Sequence, residues 1–347
     1  MKALIALLSV LIVVSCQHND GKATYSTGTT TNINGYTITT DTVTINGEEN
    51  ILPLLRYNGN YYYSAFARDS LGDYELTHFC SIDNQGNIDF FKGGISGIEM
   101  GYDDVHIRHD SIVIKSYYDN NVSFYLDDKI KKCVPIKAVD DVVFEDADYY
   151  VTSIDFGEWG SATWFKDKRT GLEYEVAGIL PPEVIKFKGA YYLVSPSEIN
   201  VVKNPKLLVK TGIGTYEKFK GINKVGDFYS REPKAYTNGL ENIYSRERTY
   251  EIERDFFIGP AFVHNDSLRF IVNENNTMYV AKAESKKLIS VARIGDGVHS
   301  IRENNSYRNL YLNKMISFTK MKKDFGLLEI KDNSIQLHYF KNKPKNK

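Results

Sequence analysis

A strand motif that occurs twice constrains the fold of this chain more than any other feature. Residues 109–114 read His-Asp-Ser-Ile-Val-Ile, and residues 265–270 read Asn-Asp-Ser-Leu-Arg-Phe. Each copy opens a strand-like segment that ends in an Asn-Asn pair, and a second strand, a Lys-Lys pair and a third apolar strand then follow. The two copies lie 266 − 110 = 156 residues apart. Such a repeat indicates similar β-sheet units, with Ile112/Ile114 matching Leu268/Phe270 as the inward side chains of a two-residue period.

Weaker copies of the unit recur along the chain. A Gly-x-Tyr-Tyr turn and strand starts at Gly59 and again at Gly189, and further copies start near 148 and 313. The starts lie about 40–50 residues apart, except between 189 and 265, where one more degenerate unit fits. Four-stranded blades of this length build β-propellers, and no stretch shows a sustained helical period with caps. The sequence therefore predicts an all-β fold, a β-propeller with six or seven four-stranded blades. Two β-sandwich domains are the alternative.

The ends of the chain differ from its centre, which suggests four segments. Residues 1–15 read as a signal peptide, 16–34 as a flexible tether rich in Thr, Asn, Gly and Ser, and 35–340 as the propeller-like domain. The strand-like segment from Tyr36 to Ile45 is expected to pair with the last blade and close the ring. Residues 341–347 read as a disordered basic tail.

The first sixteen residues have the pattern of a secretory signal. Met1 and Lys2 precede an uncharged apolar run at 3–14, and Ser15 and Cys16 follow it. One positive charge, a short apolar segment and a small residue before the cut are the parts of such a signal. The run is too short to span a membrane. The sequence therefore predicts export from the cytoplasm.

The order Val13-Val14-Ser15-Cys16 resembles the lipobox of bacterial lipoproteins, and the polar stretch 17–20 resembles surface lipoproteins of Bacteroides-type bacteria. The resemblance implies that the signal is removed, that Cys16 is lipidated, and that a lipid bilayer is one partner of the chain. It implies a lipid-anchored location in the cell envelope at the outer membrane, with the periplasmic and surface faces both open. An ordinary signal peptide with a cysteine at this position is the alternative.

Composition narrows the classes of partner. Without Lys2 the basic residues fall from 43 to 42 against 44 acidic residues, a net charge of about −2 with the signs interspersed. Nucleic-acid binding needs a concentrated basic face, so nucleic acid is not expected as a partner. The 25 tyrosines and 18 phenylalanines favour strands. Cys80 and Cys133 both lie in apolar strand contexts, where either a disulfide or two buried thiols would fit.

The segment 155–164 is the most distinctive candidate for a site. It contains both tryptophans of the chain together with two acids and two glycines. An exposed indole provides a stacking surface for a sugar, and nearby carboxylates accept hydrogen bonds from hydroxyl groups. Trp159, Asp155 and Glu158 are therefore the candidate ligand-binding residues, whereas Trp164 is interpreted as core packing.

No catalytic signature accompanies that segment. The sequence contains no nucleophile elbow, zinc-binding His pair, phosphate-binding loop or dinucleotide fingerprint. The acids and histidines at 103–110 have neither calcium-loop nor zinc-helix spacing, so no metal and no cofactor are expected. A non-enzymatic binding or interaction module for a protein or glycan partner is the leading hypothesis. A propeller-type glycoside hydrolase or lyase with paired carboxylates, for example Asp155 or Glu158, is the alternative.

Overall fold

The computed structural model describes most of the chain after residue 21. The described residues are 22–46, 50–68, 74–91, 104–108, 111–115, 122–137, 142–155, 161–179, 181, 183–219, 238–247, 256–300, 314–320 and 324–343. The predicted signal peptide and Cys16 lie outside them. None of the helices within the described residues has the length and hydrophobicity needed to cross a bilayer.

The first half of the chain forms two leading strands and three sheets. The leading strands are β1 (Thr24–Ile33) and β2 (Tyr36–Asn46). The first sheet is β3 (Asn50–Tyr57), β4 (Asn60–Arg68), β5 (Tyr74–Ile82) and β6 (Ile88–Phe91). The second is β7 (Asp104–Arg108), β8 (Ser111–Lys115), β9 (Val122–Asp127) and β10 (Lys132–Lys137). The third begins with β11 (Val142–Glu145), β12 (Tyr149–Asp155), β13 (Ser161–Asp167) and β14 (Leu172–Ala177).

The second half adds three more sheets and one short helix. The fourth sheet uses β15 (Glu183–Phe187), β16 (Ala190–Val194), β17 (Glu198–Val202) and β19 (Leu240–Ser245). Between the last two lie a 3-10 turn (Pro205–Leu207), β18 (Val209–Ile213) and α1 (Thr215–Phe219). The fifth is β20 (Phe257–His264), β21 (Ser267–Glu274), β22 (Thr277–Glu284) and β23 (Lys287–Asp296). The sixth contains β24 (His299–Ser300), β25 (Met315–Lys320), β26 (Asp324–Lys331) and β27 (Ser334–Lys343).

These six sheets are the blades of a six-bladed β-propeller, numbered 1 to 6 along the chain. Strands within each blade are paired in chain order, and the first strand of blade 4, β15, contacts the first strands of blades 3 and 5, β11 and β20. First strands that contact one another from blade to blade surround a common centre. The predicted all-β propeller is therefore confirmed, with six blades, and the two-sandwich alternative is set aside.

The two copies of the repeated motif belong to equivalent positions in blades 2 and 5. Ser111 opens β8 and Ser267 opens β21, each the second strand of its blade. The expected alternation is only partly present, because Val113 is buried together with Ile112 and Ile114. Blades pack face to face, so a middle strand is covered on both sides and carries a continuous apolar run.

The turn signals in the sequence correspond to tight hairpins between the first and second strands of the blades. Asn58 and Gly59 have φ values of 48° and 84°, and Lys188 and Gly189 have 47° and 82°. Two successive residues with positive φ match the twist of the flanking strands, and Asn and Gly reach this conformation at low cost. These short hairpins set the register of the inner strands.

The ring closes where the N-terminal strands join the last blade. β2 pairs in parallel with β27 along its length, from Thr37 opposite Ser334 to Asn46 opposite Lys343, and β1 forms the outer edge of the blade. The predicted closure by Tyr36 to Ile45 is confirmed. Two segments that the sequence assigned outside the propeller domain belong to strands of the last blade. Thr24–Ile33, assigned to the flexible tether, form β1 because their β-branched threonines pair with those of β2, and 341–343, assigned to the basic tail, continue β27.

The long interval between the copies at 189 and 265 contains no additional blade among the described residues. Instead, the chain leaves blade 4 after β17, adds β18 to the outer edge of blade 3 next to β14, forms α1, and returns as β19. The extra residues thus form an insertion within blade 4 that pairs with blade 3 and connects the two blades.

The propeller has two faces, which differ in the connections that they carry. The turn face carries the turns between first and second strands, such as 188–189 and 265–266. The linker face carries the turns between second and third strands, such as 195–197, and the links between blades, such as the one that begins at Gly178. A hydrogen bond from the Ile258 amide to the Pro196 carbonyl, 2.9 Å long, joins blades 4 and 5 on the linker face.

Cys80 and Cys133 are both buried, and no disulfide joins them. They belong to the apolar cluster between blades 6, 1 and 2. Burial raises the pKa of the Cys133 thiol to about 11, which keeps it protonated and unreactive near neutral pH. Of the two possibilities left open by the sequence, the structure has the buried thiols.

Candidate binding site

The candidate residues chosen from the sequence lie outside, or at the edge of, the described residues. Trp159 and Glu158 are within 156–160, which is not described, and of Asp155 only the backbone is described. Asp155 ends β12 and pairs with Ser161, which begins β13. Both ends of the segment therefore lie on the linker face. Their role in ligand binding stays a prediction.

Trp164 is fully buried, in agreement with its interpretation as core packing. Its ring stacks on Phe219 of α1 at 5.9 Å between centroids, and Tyr216 of the same helix contacts it edge-on. The indole Nε1 donates a 3.0 Å hydrogen bond to Glu175 Oε2. The blade 4 insertion thus covers this tryptophan, and no ligand reaches it.

Glu183 is a carboxyl group with a strongly raised pKa. It begins β15 on the linker face, and its Oε2 accepts a 2.7 Å hydrogen bond from the Ala261 amide of β20. That amide follows an irregularity in the pairing between Ile258 and Ala261, where Pro260 has no N–H to donate. Although the residue as a whole is partly exposed, burial of the carboxyl group raises its pKa to about 8, against the opposing effects of the hydrogen bond and of Lys314.

A groove of about 540 Å³ opens on the turn face between blades 4 and 5. The β15–β16 hairpin and β19 form one wall. The other wall is formed by β21, by the turn at 265–266 that precedes it, and by the turn at 285–286 between β22 and β23. Small-molecule sites are concave, largely apolar and of about 300–1,000 Å³. This groove lies within that size range.

Two aromatic residues of blade 4 contribute to the groove. The rings of Phe187 and Tyr192 are both partly exposed, with 6.4 Å between their centroids, and Ile243 and Leu268 add aliphatic surface. Lys188 Nζ lies 5.1 Å from the Phe187 ring centre. An aromatic face with polar atoms beside it is a suitable surface for a sugar ring.

The charged side chains at the groove are paired unequally. Lys188 Nζ bridges to Asp266 Oδ2 at 2.7 Å, joining the hairpins of the two blades, and Lys282 pairs with Glu284. The guanidinium of Arg269 instead donates to the Tyr36 hydroxyl at 3.1 Å and to the Leu268 carbonyl at 3.0 Å. No carboxylate of a described residue pairs with it. Because Tyr36 lies on β2 of blade 6, the Arg269 guanidinium is on the side of blade 5 that faces blade 6, away from the groove.

Polar clusters in the described part of the chain do not form a metal site. No group of three or more His, Cys, Asp or Glu side chains is close enough there to hold an ion. The sequence-based expectation of no metal concerned residues 103–110, most of whose side chains lie outside the described part.

Comparison with known proteins finds remote structural similarity. The sequence matches no known protein-family profile and no functionally curated protein. The structure of YjhT aligns with a TM-score of 0.33 and 9% identity, over 84% of this chain and 84% of that chain. The extracellular domain of BT4673 from B. thetaiotaomicron aligns with a TM-score of 0.28 and 10% identity, over 83% of this chain and 36% of that chain. The propeller assignment accordingly rests on the six sheets of this chain.

Sequence reasoning missed both the groove and Glu183. Phe187 and Leu268 are separated by 268 − 187 = 81 residues and meet only because blades 4 and 5 are neighbours in the ring. The one available signal was the pair of turns at 188–189 and 265–266, which the sequence placed at equivalent positions of two units. Equivalent turns of adjacent blades lie side by side on one face.

Proposed function

We propose that this chain is a lipid-anchored binding protein of the outer cell envelope whose propeller binds a glycan in the groove between blades 4 and 5. The observation that carries the proposal is the groove itself, in which the partly exposed rings of Phe187 and Tyr192 lie beside the exposed Lys188–Asp266 pair. The lipobox-like segment ending at Cys16 supports the location.

The test is binding of the full chain to an array of bacterial and host glycans, followed by calorimetry with the best ligand. Phe187→Ala removes the stacking surface and is expected to weaken binding at least about tenfold, or about 1.4 kcal/mol. Tyr150→Ala is the matched control, because Tyr150 is also an exposed aromatic ring beside a lysine, with Lys168 Nζ at 4.2 Å, but lies on blade 3. Tyr192→Ala is a second groove variant, and thermal unfolding verifies that each variant folds.

Two results would contradict the proposal. One is equal loss of affinity in the Phe187 and Tyr150 variants, which would place the ligand elsewhere. The other is the absence of glycan binding together with specific capture of an envelope protein, which would make this a protein-binding module.

A propeller-type glycoside hydrolase or lyase is the second candidate, and one observation favours it. Glu183 has a pKa raised to about 8 by burial, which suits a general acid at neutral pH. It lies on the same face as the two ends of the 155–161 segment, which contains the predicted Asp155 and Glu158. Turnover on a polysaccharide panel that is lost in both Glu183→Gln and Glu158→Gln would support an enzyme, and no turnover would remove it.

A further inference from the structure

The first described residues of the chain, which precede the strands that join blade 6, contact the third turn of blade 1. The Ala23 amide donates a 2.8 Å hydrogen bond to the Gly86 carbonyl, and the Tyr25 hydroxyl donates to the Asp83 carbonyl. Gly86 has φ +84°, and a Cβ there would lie 2.1 Å from the Ala23 oxygen. Only glycine permits this approach, so the contact is built into the fold.

The turn itself is held rigid by its own side chains. Asp83 Oδ1 accepts from the amides of Gln85 and Asn87 at 2.9 and 2.8 Å, and its Oδ2 accepts from the Asn87 side chain at 2.6 Å. These bonds hold the pKa of Asp83 below its usual value despite the opposing effect of burial. The chain that enters at Ala23 is thus attached to a fixed point.

The equivalent turn of blade 2, residues 128–131, lies next to this point. Lys131 Nζ reaches across to Asp89 of β6 at 3.0 Å, and the Tyr62 hydroxyl of blade 1 donates to Asp128. At the tip of the turn Ile130 is 56% exposed. A single exposed apolar side chain is common on protein surfaces, so Ile130 indicates a contact only together with the cations beside it and the nearby N-terminal segment.

The acidic residues at this turn form hydrogen bonds and ion pairs within the protein, whereas two neighbouring lysines pair with no described carboxylate. Asp127 accepts from the amides of Lys129 and Ile130 at 2.9 and 3.2 Å. Asp128 and Asp89 both bind Lys131. Lys129 and the following Lys132 are exposed and form no ion pair with a described residue. An exposed isoleucine flanked by two such cations is complementary to a lipid headgroup layer over hydrocarbon.

The length of the N-terminal segment limits how far this edge lies from the anchor. Ala23 follows Cys16 by 23 − 16 = 7 residues, which span at most about 25 Å when extended. A folded domain of this size is about 50 Å across. A lipid on Cys16 would therefore hold the edge of blades 1 and 2 toward the bilayer, and blade 4, three blades further around the ring, away from it.

We propose that the 128–131 turn is a membrane-docking surface, with Ile130 inserted among lipid headgroups and Lys129 and Lys132 bound to lipid phosphates. The inference rests on the proposed lipid anchor at Cys16. It places the groove between blades 4 and 5 on the opposite side of the ring from the docked edge.

The test uses the full lipidated chain in vesicles of phosphatidylethanolamine with a minority of phosphatidylglycerol. An environment-sensitive fluorophore is placed at Ile130→Cys or at Ile289→Cys, the latter being a matched isoleucine on β23 of blade 5 with 39% exposure. Quenching by lipids that carry a spin label is expected to be several-fold stronger at 130 than at 289. Lys129→Glu combined with Lys132→Glu is expected to reduce the quenching at 130.

The possible failures are distinguishable. If labelled palmitate is not incorporated, or is incorporated equally in Cys16→Ala, the anchor is wrong and the docking surface with it. If the chain is acylated and pellets with vesicles but positions 130 and 289 are quenched equally, the anchor stands and the docking surface is refuted.

Discussion

The junction between blades 6 and 1 and the junction between blades 4 and 5 use charged residues in opposite ways. At the first, His338 is 2% exposed and lies between two carboxylates, with its Nδ1 2.8 Å from Asp41 and its Nε2 3.5 Å from Glu329. At the second, Lys188 and Asp266 pair at the surface with 58% and 82% of their side chains exposed. One junction encloses its charges, and the other leaves them at the mouth of a groove.

The enclosed cluster lies where β2, near the start of the chain, pairs with β27, near its end, and closes the ring. Asp41 and His338 are direct partners in the parallel pairing of β2 with β27, so a slip of one residue would separate them. Arg56 of β3 extends the cluster into blade 1, with its Nη1 3.2 Å from Glu329 and 3.1 Å from Gln336. A buried ion pair often adds little net stability over apolar packing, whereas partners that meet in only one register favour that register. The comparison shows that ring closure requires one strand register, whereas a ligand groove requires side chains that stay exposed to solvent.

The largest effect is expected from breaking the enclosed cluster. His338→Ala leaves Asp41 and Glu329 without their shared partner in a buried site, so the free energy of unfolding should fall by about 3–5 kcal/mol. His264→Ala is the matched control, since His264 is also buried but bonds only neutral amides, Asn333 and Asn265. Its loss should be about 1–3 kcal/mol. Equal losses in urea denaturation would contradict a special role for the closing junction.

The same cluster predicts a pH dependence of stability. Burial alone would lower the pKa of His338, but hydrogen bonds with Asp41 and Glu329 raise it, against a smaller opposing effect of Arg56. The Tyr61 hydroxyl also faces Nδ1 at 2.8 Å. A raised pKa in the folded state means that the stabilisation is complete below the unfolded value of about 6.5 and is lost as pH rises through the folded pKa.

The measurement is the melting temperature of the full chain between about pH 6 and pH 9. The wild type should become less stable with rising pH, and His338→Gln should reduce that slope. A slope that is the same in wild type and variant would show that the imidazole is neutral at this junction throughout.

Glu183→Gln tests the linker-face side of the junction between blades 4 and 5. In the folded chain the Glu183 carboxyl holds its proton up to about pH 8, whereas the unfolded chain releases it near 4.5. Folding therefore binds a proton in that range, and stability falls as pH rises through it. The glutamine keeps the oxygen that accepts from Ala261, so the variant should match the wild type near pH 4.5 and exceed its melting temperature by a few degrees at pH 8. A lower melting temperature at pH 8 would show that the ionised carboxylate is stabilising.

Sequence reasoning was most accurate where structure is determined locally. Hairpin turns such as Asn58-Gly59 need residues that tolerate positive φ, and their spacing revealed the blades. β1 was missed because threonine, serine, glycine and asparagine are shared by linkers and edge strands, and only pairing with β2 distinguishes them. α1 is five residues long, too short to show a helical period.

The sites depend on contacts between distant residues, which no local pattern contains. Asp41 and His338 are 297 residues apart in the chain, and Glu183 meets Ala261 only through the adjacency of β15 and β20. Trp164 was interpreted as core packing from the sequence, but its cover, α1, comes from an insertion in another blade. The burial of the Glu183 carboxyl group, and the raised pKa that follows from it, arise only when the neighbouring blades have assembled.

The smallest effect is expected at the groove mouth. Lys188→Ala removes the bridge to Asp266, but both side chains are well solvated, so the free energy of unfolding should change by less than about 1 kcal/mol. Added salt should diminish even that change, since exposed pairs are screened. Lys168→Ala, which breaks the pair with Glu145 on the same face, is the control outside the groove. If Lys188→Ala lowered the free energy of unfolding as much as His338→Ala does, both junctions would depend on their charged pairs for stability. The hairpins of blades 4 and 5 would then hold the two blades together and would not form the accessible edge of a binding site.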